Sequence, residues 1–360
     1  MQILIIALVA VVVLAGLVWI ALPSLIARSI RPVDPVALEF RGSGDDLLLA
    51  ERVGEAFRAG IRARMLRPRS SWLAKCDAHE PHWRPFAFEG AAFGHGALAS
   101  SGFERWDRLQ ADVISRRPRY VYLAHVGVGF WWAFRHGHRF EKMLPILQGY
   151  DPLYRYLCAD GYGFKFGFFD FMRDRSRVRH LLELPGYFRN AAFQGVGRGL
   201  YFGFLGDRAG LFEAVGEFAP EHDADLIAGA GLAAAFAETD RPHRAVDFAR
   251  SVPFEWRPHA HLGLTFGFKA RALADPDYFD DCLSKLRTPA AAAIRRAVAL
   301  CDNVEQAVRD DKAKEGYRLW RERLTDVMEA ERVWEPVYAC AQEDLRGREG
   351  VVGHSTGEEP

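Results

Sequence analysis

Short glycine-bearing segments recur through the middle of the chain, and they constrain the fold more than any other feature. Phe88-Glu89-Gly90 with Gly94 is echoed by Phe193-Gln194-Gly195 with Gly199, an offset of 105 residues. Gly127-Val128-Gly129 is echoed by Gly229-Ala230-Gly231 at 102, and Gly163-Phe164-Lys165-Phe166-Gly167-Phe168 by Gly263-Leu264-Thr265-Phe266-Gly267-Phe268 at 100. Three matches in the same order with nearly constant offset predict a tandem duplication of a three-segment unit. Glycines four residues apart share one face of a helix, where they let another backbone approach closely. The surrounding Ala, Leu and Phe favour helices over strands. Each interior glycine costs a helix about 1 kcal/mol relative to alanine, so this many predict tight crossings or room for a ligand.

The second constraint lies at the N-terminus. Residues 3–26 contain no charged side chain, and 24 helical residues at about 1.5 Å each reach roughly 36 Å, enough to cross a hydrocarbon core with some tilt. The run is long for a signal peptide, lacks a basic leading region, and Ala21-Leu22-Pro23-Ser24 is a poor cleavage site. A single-pass anchor in the cell membrane is therefore expected. Arg28 and Arg31 follow the run and no cation precedes it, which favours a cytoplasmic C-terminal domain.

The expected fold is all-α, an N-terminal transmembrane anchor followed by a tandem-duplicated helical domain with a C-terminal helical cap. The boundaries are 1–30 for the anchor, 31–85 for a linker, amphipathic helix and loop, 86–175 and 176–275 for the two repeats, 276–346 for the C-terminal helices and 347–360 for a polar disordered tail. Asp45 or Asp46 is placed to cap the amphipathic helix, whose apolar face is Leu49, Val53, Phe57, Ile61 and Met65. The Pro-bearing stretch 66–85 reads as irregular loop. Tyr317, Trp320, Leu324, Val327, Met328 and Trp334 fall near one face of a late helix that Pro336 should end or kink, with room for a further helical stretch to about Leu345.

Charge narrows the function only by exclusion. Lys plus Arg and Asp plus Glu both total 47, so nothing points to nucleic acid as a partner. The 26 Phe, 9 Trp and 11 Tyr suit either ordinary core packing or a greasy cavity. Five scattered cysteines without CxxC spacing imply no disulfide framework or zinc knuckle. Cys76-x2-His79-x2-His82, His136-x-His138 and His259-x-His261 are close pairs or runs, but a metal needs three or four converging ligands, so no metal site is expected. No Walker A, Rossmann, GxSxG or HExxH pattern occurs, and no cofactor is expected.

Glu89 is the leading chemical candidate, because a carboxylate in a glycine-rich apolar helix is costly unless paired, and Gln194 stands at the matching place in the second repeat. With a raised pKa it could move protons on a polyene; paired with Arg198 or Arg84 it would instead lock two helices. Asp160 precedes Gly161-Tyr162-Gly163 and either caps a helix or points into a cavity. His95 and His125 lie in the same matched segments and would complete an acid–base cluster if the helices bring them to Glu89.

The segments Phe88-Glu89-Gly90-Ala91-Ala92, His125 to Trp131, Asp160 to Phe164, Gly195 to Leu200 and Gly229 to Ala233 resemble the UnbL-type family of enediyne biosynthesis proteins. The likeness covers roughly residues 40–270. It implies participation in making a highly unsaturated polyketide or related lipid, alongside a UnbU-type membrane protein and a UnbV-type partner. On that reading the chain holds or modifies a hydrophobic acyl or polyene intermediate in a complex at the membrane. Phe88, Trp131, Tyr162, Phe164 and Arg198 would contact it, and Glu89, Asp160, His125 and His95 would do chemistry. A scaffold or lipid carrier that transfers no atoms is the alternative.

Overall fold

A computed structural model describes residues 16–18, 21–66, 71–313 and 315–339, and every regular element among them is helical. Residues 21–29 form a helix that leads into the domain. There follow α1 (Asp45–Met65), α2 (Trp72–Asp77), α3 (Arg84–Ser100), α4 (Val121–His136), α5 (Tyr156–Lys165), α6 (Phe188–Gly203) and α7 (Arg208–Val215). The chain continues through α8 (Asp223–Ala237), α9 (Pro242–Ser251), α10 (Arg257–Ala274), α11 (Pro276–Leu283), α12 (Thr288–Asp310) and α13 (Gly316–Ala330).

Seven of these helices pack in one row, α1, α3, α4, α5, α6, α8 and α10, each against the next. Reciprocal glycines make most of the joints. A Cβ on Gly161 of α5 would overlap the carbonyl oxygen of Val126 in α4, and one on Gly129 of α4 would overlap that of Cys158 in α5. The same exchange joins Gly163 with Ala192 and Gly195 with Asp160, then Gly197 with Leu226 and Gly229 with Gln194, then Gly263 with Ala228. Residue numbers rise along one helix as they fall along its neighbour, so adjacent helices run antiparallel. Backbones this close replace side-chain packing by dispersion and Cα–H···O contacts, which offset the propensity cost of the glycines.

These contacts define a repeat of one helix. Gly127, Gly161, Gly195, Gly229 and Gly263 stand at 34-residue steps and make the same contact in successive joints. Gly90 of α3 belongs to the series by its overlap with the Phe57 carbonyl, and Gly60 of α1 answers it at Ala87. The offsets of 100 to 105 read from the sequence span three such steps. In this register Gly263 corresponds to Gly161 rather than to Gly163. The row also curls back on itself. Phe86 of α3 lies edge-on to Phe236 of α8 at 5.1 Å, and Arg271 of α10 donates to the carbonyls of His82 and Phe236, each at 2.7 Å. The helices α12 and α13 cover α10, with Trp320 edge-on to Phe266 at 4.9 Å.

Several local expectations change. Gly44, not an aspartate, occupies the cap position of α1; Asp45 and Asp46 sit in its first turn, where their charge favours the helix dipole. The supposed loop 66–85 contains α2 and the start of α3, because Pro85 falls at the first turn, where a missing N–H costs nothing. Pro336 likewise lies in the first turn of a short helix over 335–339, and α13 has already ended at Ala330. None of the described helices is long and apolar enough to cross a membrane. Most of the expected anchor, residues 1–15 and 19–20, lies outside the described residues, as do the expected tail 347–360 and Cys340.

Candidate functional site

The repeat register shows which side chains face the interior. The position three after each register point, one turn beyond the glycine contact, is Ile61, Phe93, Phe130, Phe164, Arg198, Leu232 and Phe266 along the row, and all seven line interior space. Six are apolar, and Arg198 alone breaks the pattern. The position just before the register point is Phe57, Glu89, Val126, Asp160, Gln194, Ala228 and Leu262. Here α3, α5 and α6 carry polar groups, with Val126 of α4 between the first two. A repeat that is apolar elsewhere departs from its own rule at four places, and the fold brings those four together.

Arg198 is buried at the junction. Its Nη1 pairs with Asp160 Oδ1 of the adjacent α5, and its Nη2 lies 3.7 Å from Glu89 Oε1 on α3. Gln194 Nε2 donates to the other Asp160 oxygen at 2.7 Å, and Tyr317 from α13 donates to Gln194 Oε1 at 3.2 Å. The guanidinium carbon lies over the Phe164 ring, 5.0 Å from its centroid, within the range of cation–π attraction. One cation thus serves two buried carboxyls. Burial draws the guanidinium toward losing its proton, but Asp160 and Glu89 outweigh that and raise its pKa. Burial pushes the Glu89 carboxyl up, Arg198 pulls it down, and the Asp160 charge raises it again, leaving it at about 7.

Two spaces meet at this cluster. On one side is a cleft of about 500 Å³ walled by Phe57, Phe93, Phe130, Trp131, Phe134 and Phe164, with Arg58, Glu89 and Arg198 as its charged side chains from the helix row. The segment 26–38 crosses its mouth through Ile26, Ile30, Val33 and Leu38. On the other side is a chamber of about 50 Å³ lined by Val126, Leu157, Asp160, Arg198, Phe266 and Tyr317, room for a few waters or a small group. Arg198 lines both.

The structure separates the other expected site residues from this centre. His95 is six residues from Glu89 on α3, about 240° around the helix. It points instead to Glu104 at 3.0 Å and Arg64 at 3.2 Å. Burial pushes the Glu104 carboxyl up, but His95 and Arg64 hold it down at about 2. His125 donates to the carbonyl of Val121 one turn back at 2.8 Å, packs against Tyr150 and Tyr154, and is lowered in pKa by burial. Neither histidine lines the cleft. Phe88 stacks on Tyr120 at 3.8 Å and Tyr162 donates to the Gly137 carbonyl at 2.6 Å, both away from it. Trp131, Phe164 and Arg198 do line it. Arg84, weighed as a partner for Glu89, pairs with Asp275 at 3.4 Å.

Sequence reasoning missed Tyr317 and the phenylalanines Phe57, Phe93, Phe130, Phe134 and Phe168. The signal that finds four of the phenylalanines is the glycine register, since Phe93 and Phe130 follow a register glycine by three residues and Phe134 and Phe168 by seven, whereas Phe57 stands one residue before its register point. Tyr317 carries no such mark, because it enters from outside the row. Among the described residues no three His, Cys, Asp or Glu side chains are placed to hold a metal ion. Cys76 faces the Ala87 carbonyl, His82 meets Tyr278, and His261 meets Tyr338.

The raised pKa of Glu89 predicts a pH dependence with a definite sign. A carboxyl whose pKa is higher folded than unfolded binds protons better in the native state. Its contribution is full below the ordinary value of 4.5 and is lost as pH rises through about 7. The thermal midpoint of the wild type relative to Glu89→Gln should therefore fall across that window and level off above it. Subtracting the variant removes the opposing contribution of the buried histidines. A flat difference would show that Glu89 is ionised in the native state throughout.

A family model described as "Protein of unknown function (DUF1702)" matches residues 39–328. No curated protein matches the chain, and no solved structure matches it.

Proposed function

The chain belongs to the DUF1702 family of proteins of unknown function, and we propose that its helix row holds an extended, apolar, unsaturated chain in the aromatic cleft, with Glu89 exchanging a proton at its inner end. The observation that carries this reading is the departure of the repeat from apolar residues at Glu89, Asp160, Gln194 and Arg198, concentrated where the cleft ends. An ion cluster that only locked helices would have no need of a cleft of about 500 Å³ beside it. Aromatic walls suit a conjugated chain, whose faces stack on rings without losing hydrogen bonds. A carboxyl with a pKa at about 7 is half protonated near neutrality, the condition under which one group both gives and takes a proton.

The resemblance to the UnbL-type proteins fits the same occupant, an acyl or polyene intermediate of a secondary-metabolic pathway handled with a UnbU-type membrane protein and a UnbV-type partner. The uncharged run over residues 3–26 would tether the domain to the cell membrane, single-pass, with the domain on the cytoplasmic side. A carrier that transfers no atoms is favoured by one feature, the neutralisation of Arg198 by two buried carboxyl groups, Asp160 paired with its Nη1 and Glu89 3.7 Å from its Nη2.

Two experiments test the reading. Purified full-length protein in mild detergent should enhance the fluorescence of cis-parinaric acid, a conjugated fatty acid, and Phe164→Asp should weaken its binding by about tenfold or more, as a charge in an apolar wall demands. Absence of saturable binding by the wild type would sink the proposed occupant. In the native host, deletion should accumulate an unsaturated precursor detectable by mass spectrometry. Rescue by wild type but not by Glu89→Gln assigns proton transfer to Glu89; rescue by both makes the chain a carrier.

A further inference from the structure

The helix over 21–29 leads to the mouth of the cleft, which Ile26 and Ile30 line. The helix over 21–29 docks on α1, with Arg62 Nε donating to the Ala27 carbonyl at 3.5 Å. The chain then crosses the mouth as a strap. Val33 fills the notch left by Gly54, where a Cβ would come within 2.5 Å of the Val33 Cγ2. At the far side Arg173 donates to the Ala37 carbonyl, and Phe40 lies edge-on to Phe168 at 5.1 Å. Ile26, Ile30, Val33 and Leu38 are thus the outer wall of the cleft.

Large apolar side chains stand exposed on the outside of this region, among the exposed charges of Arg28, Arg31, Asp34 and Glu39. Leu25 is 54% exposed, Val36 on the strap 73%, and Phe134 at the rim 45%. Leu17 and Val18, earlier in the chain, are 59% and 55% exposed. These five are most of the eight large hydrophobic side chains exposed among the described residues. Scattered single exposures are ordinary, but a run that leads from an uncharged stretch of sequence to the lip of an aromatic cleft marks an interaction surface. Arg28 and Arg31 flank it, exposed, where long cationic side chains reach headgroups while their stems lie in the apolar layer.

We propose that this rim is a lipid-bilayer docking surface, and that the occupant of the cleft enters from the bilayer past the strap formed by residues 26–38. The bilayer is preferred over a second protein because residues 3–26 carry no charge and end at this lip, so the same apolar medium that takes the N-terminal segment is brought against Val36 and Phe134. Lateral entry also spares a long apolar chain the passage through water, which costs about 0.8 kcal/mol for each methylene exposed. The proposal rests on the reading of the cleft as a site for an apolar chain, and the test separates the two.

The test uses the full chain with Cys340→Ser, in which the four described native cysteines are buried. A single reporter cysteine is introduced as Val36→Cys or, as a control on a distant exposed hydrophobic residue, Phe254→Cys, 79% exposed beside Arg257. Each is labelled with the fluorophore NBD and reconstituted into phosphatidylcholine vesicles with or without dibrominated acyl chains. The label at 36 should shift to the blue and be quenched by bromine, while that at 254 should do neither. A label at 36 as exposed to water as that at 254 overturns the proposal, whether or not the protein stays on the vesicle. Val36→Asp supplies a second readout. It should slow uptake of cis-parinaric acid from phosphatidylcholine vesicles by about tenfold, yet bind the acid in detergent as the wild type does; uptake at the wild-type rate overturns lateral entry. If the wild type binds no parinaric acid in detergent, the reading of the cleft fails while the NBD measurement still decides the docking surface.

Discussion

Asp160→Ala is expected to destabilise the domain by about 3–5 kcal/mol, the range for removing one partner of a buried ion pair. The loss exceeds the net worth of the pair itself, because the Arg198 guanidinium stays where it is. It would be left with Glu89 at 3.7 Å as its only carboxyl, and Gln194 Nε2 would lose its acceptor at 2.7 Å. A second consequence follows from the electrostatics. Asp160 is one of the influences that raise Glu89, so its removal should move the titration of Glu89 to lower pH as that carboxylate becomes the counter-ion. Denaturant melts of wild type, Asp160→Ala, Arg198→Leu and the double variant form a cycle. A coupling energy within about 0.5 kcal/mol of zero would mean that the four polar groups do not act as one cluster. Asp160→Asn, which retains the shape and one acceptor, should cost less than the alanine variant.

Gly195→Ala should cost about 3 kcal/mol although alanine is the better helix former. The substitution gains about 1 kcal/mol in helix propensity, but its methyl group has nowhere to go. A Cβ there overlaps the backbone carbonyl of Asp160 and comes within 2.7 Å of the Phe164 amide nitrogen. Backbone atoms of a packed helix cannot swing aside as the end of a long side chain can, so α5 and α6 must separate. The movement would widen the distance between Asp160 and Arg198, which these two helices carry. Gly203→Ala, at the end of the same α6, is the control, because its nearest neighbour would be the Met172 sulfur at an ordinary 3.4 Å. It should be neutral or stabilising. Equal melting temperatures for Gly195→Ala and Gly203→Ala would refute the backbone contact between α5 and α6.

The glycines show how much of this fold could be read in advance. Their density predicted helices that touch at the backbone, and their recurrence predicted repetition, because both follow from the absence of a Cβ and need only local geometry. The length of the unit was harder. Gly163 and Gly263 both begin an identical Gly-x-x-Phe-Gly-Phe pattern, yet Gly163 meets the Ala192 carbonyl and Gly263 the Ala228 carbonyl, in opposite halves of their joints. Which half a glycine occupies depends on the neighbouring helix, about 30 residues away in sequence. Pro85 and Pro336 were read as breakers for a similar reason: a proline closes a helix from inside but opens one from its first turn, and local composition does not distinguish them.

For the site, the sequence alone determined that Glu89 and Asp160 lie in apolar glycine-rich segments where a charge needs a partner, and that Arg198 was at hand. Each statement rests on the cost of burying an unpaired charge, which holds whatever the fold. Only the tertiary structure decided who meets whom. It set Arg198 between the two carboxyls, turned His95 toward Glu104 and His125 toward Tyr150, and drew Tyr317 in from α13 to close the network. On an α-helix a few residues of separation move a side chain to another face, and a partner from a different helix arrives through packing that leaves no trace in local spacing. The 34-residue step lies in the sequence, but its meaning as an inward stripe, apolar in six helices and cationic in one, comes from the curling of the row around a shared interior.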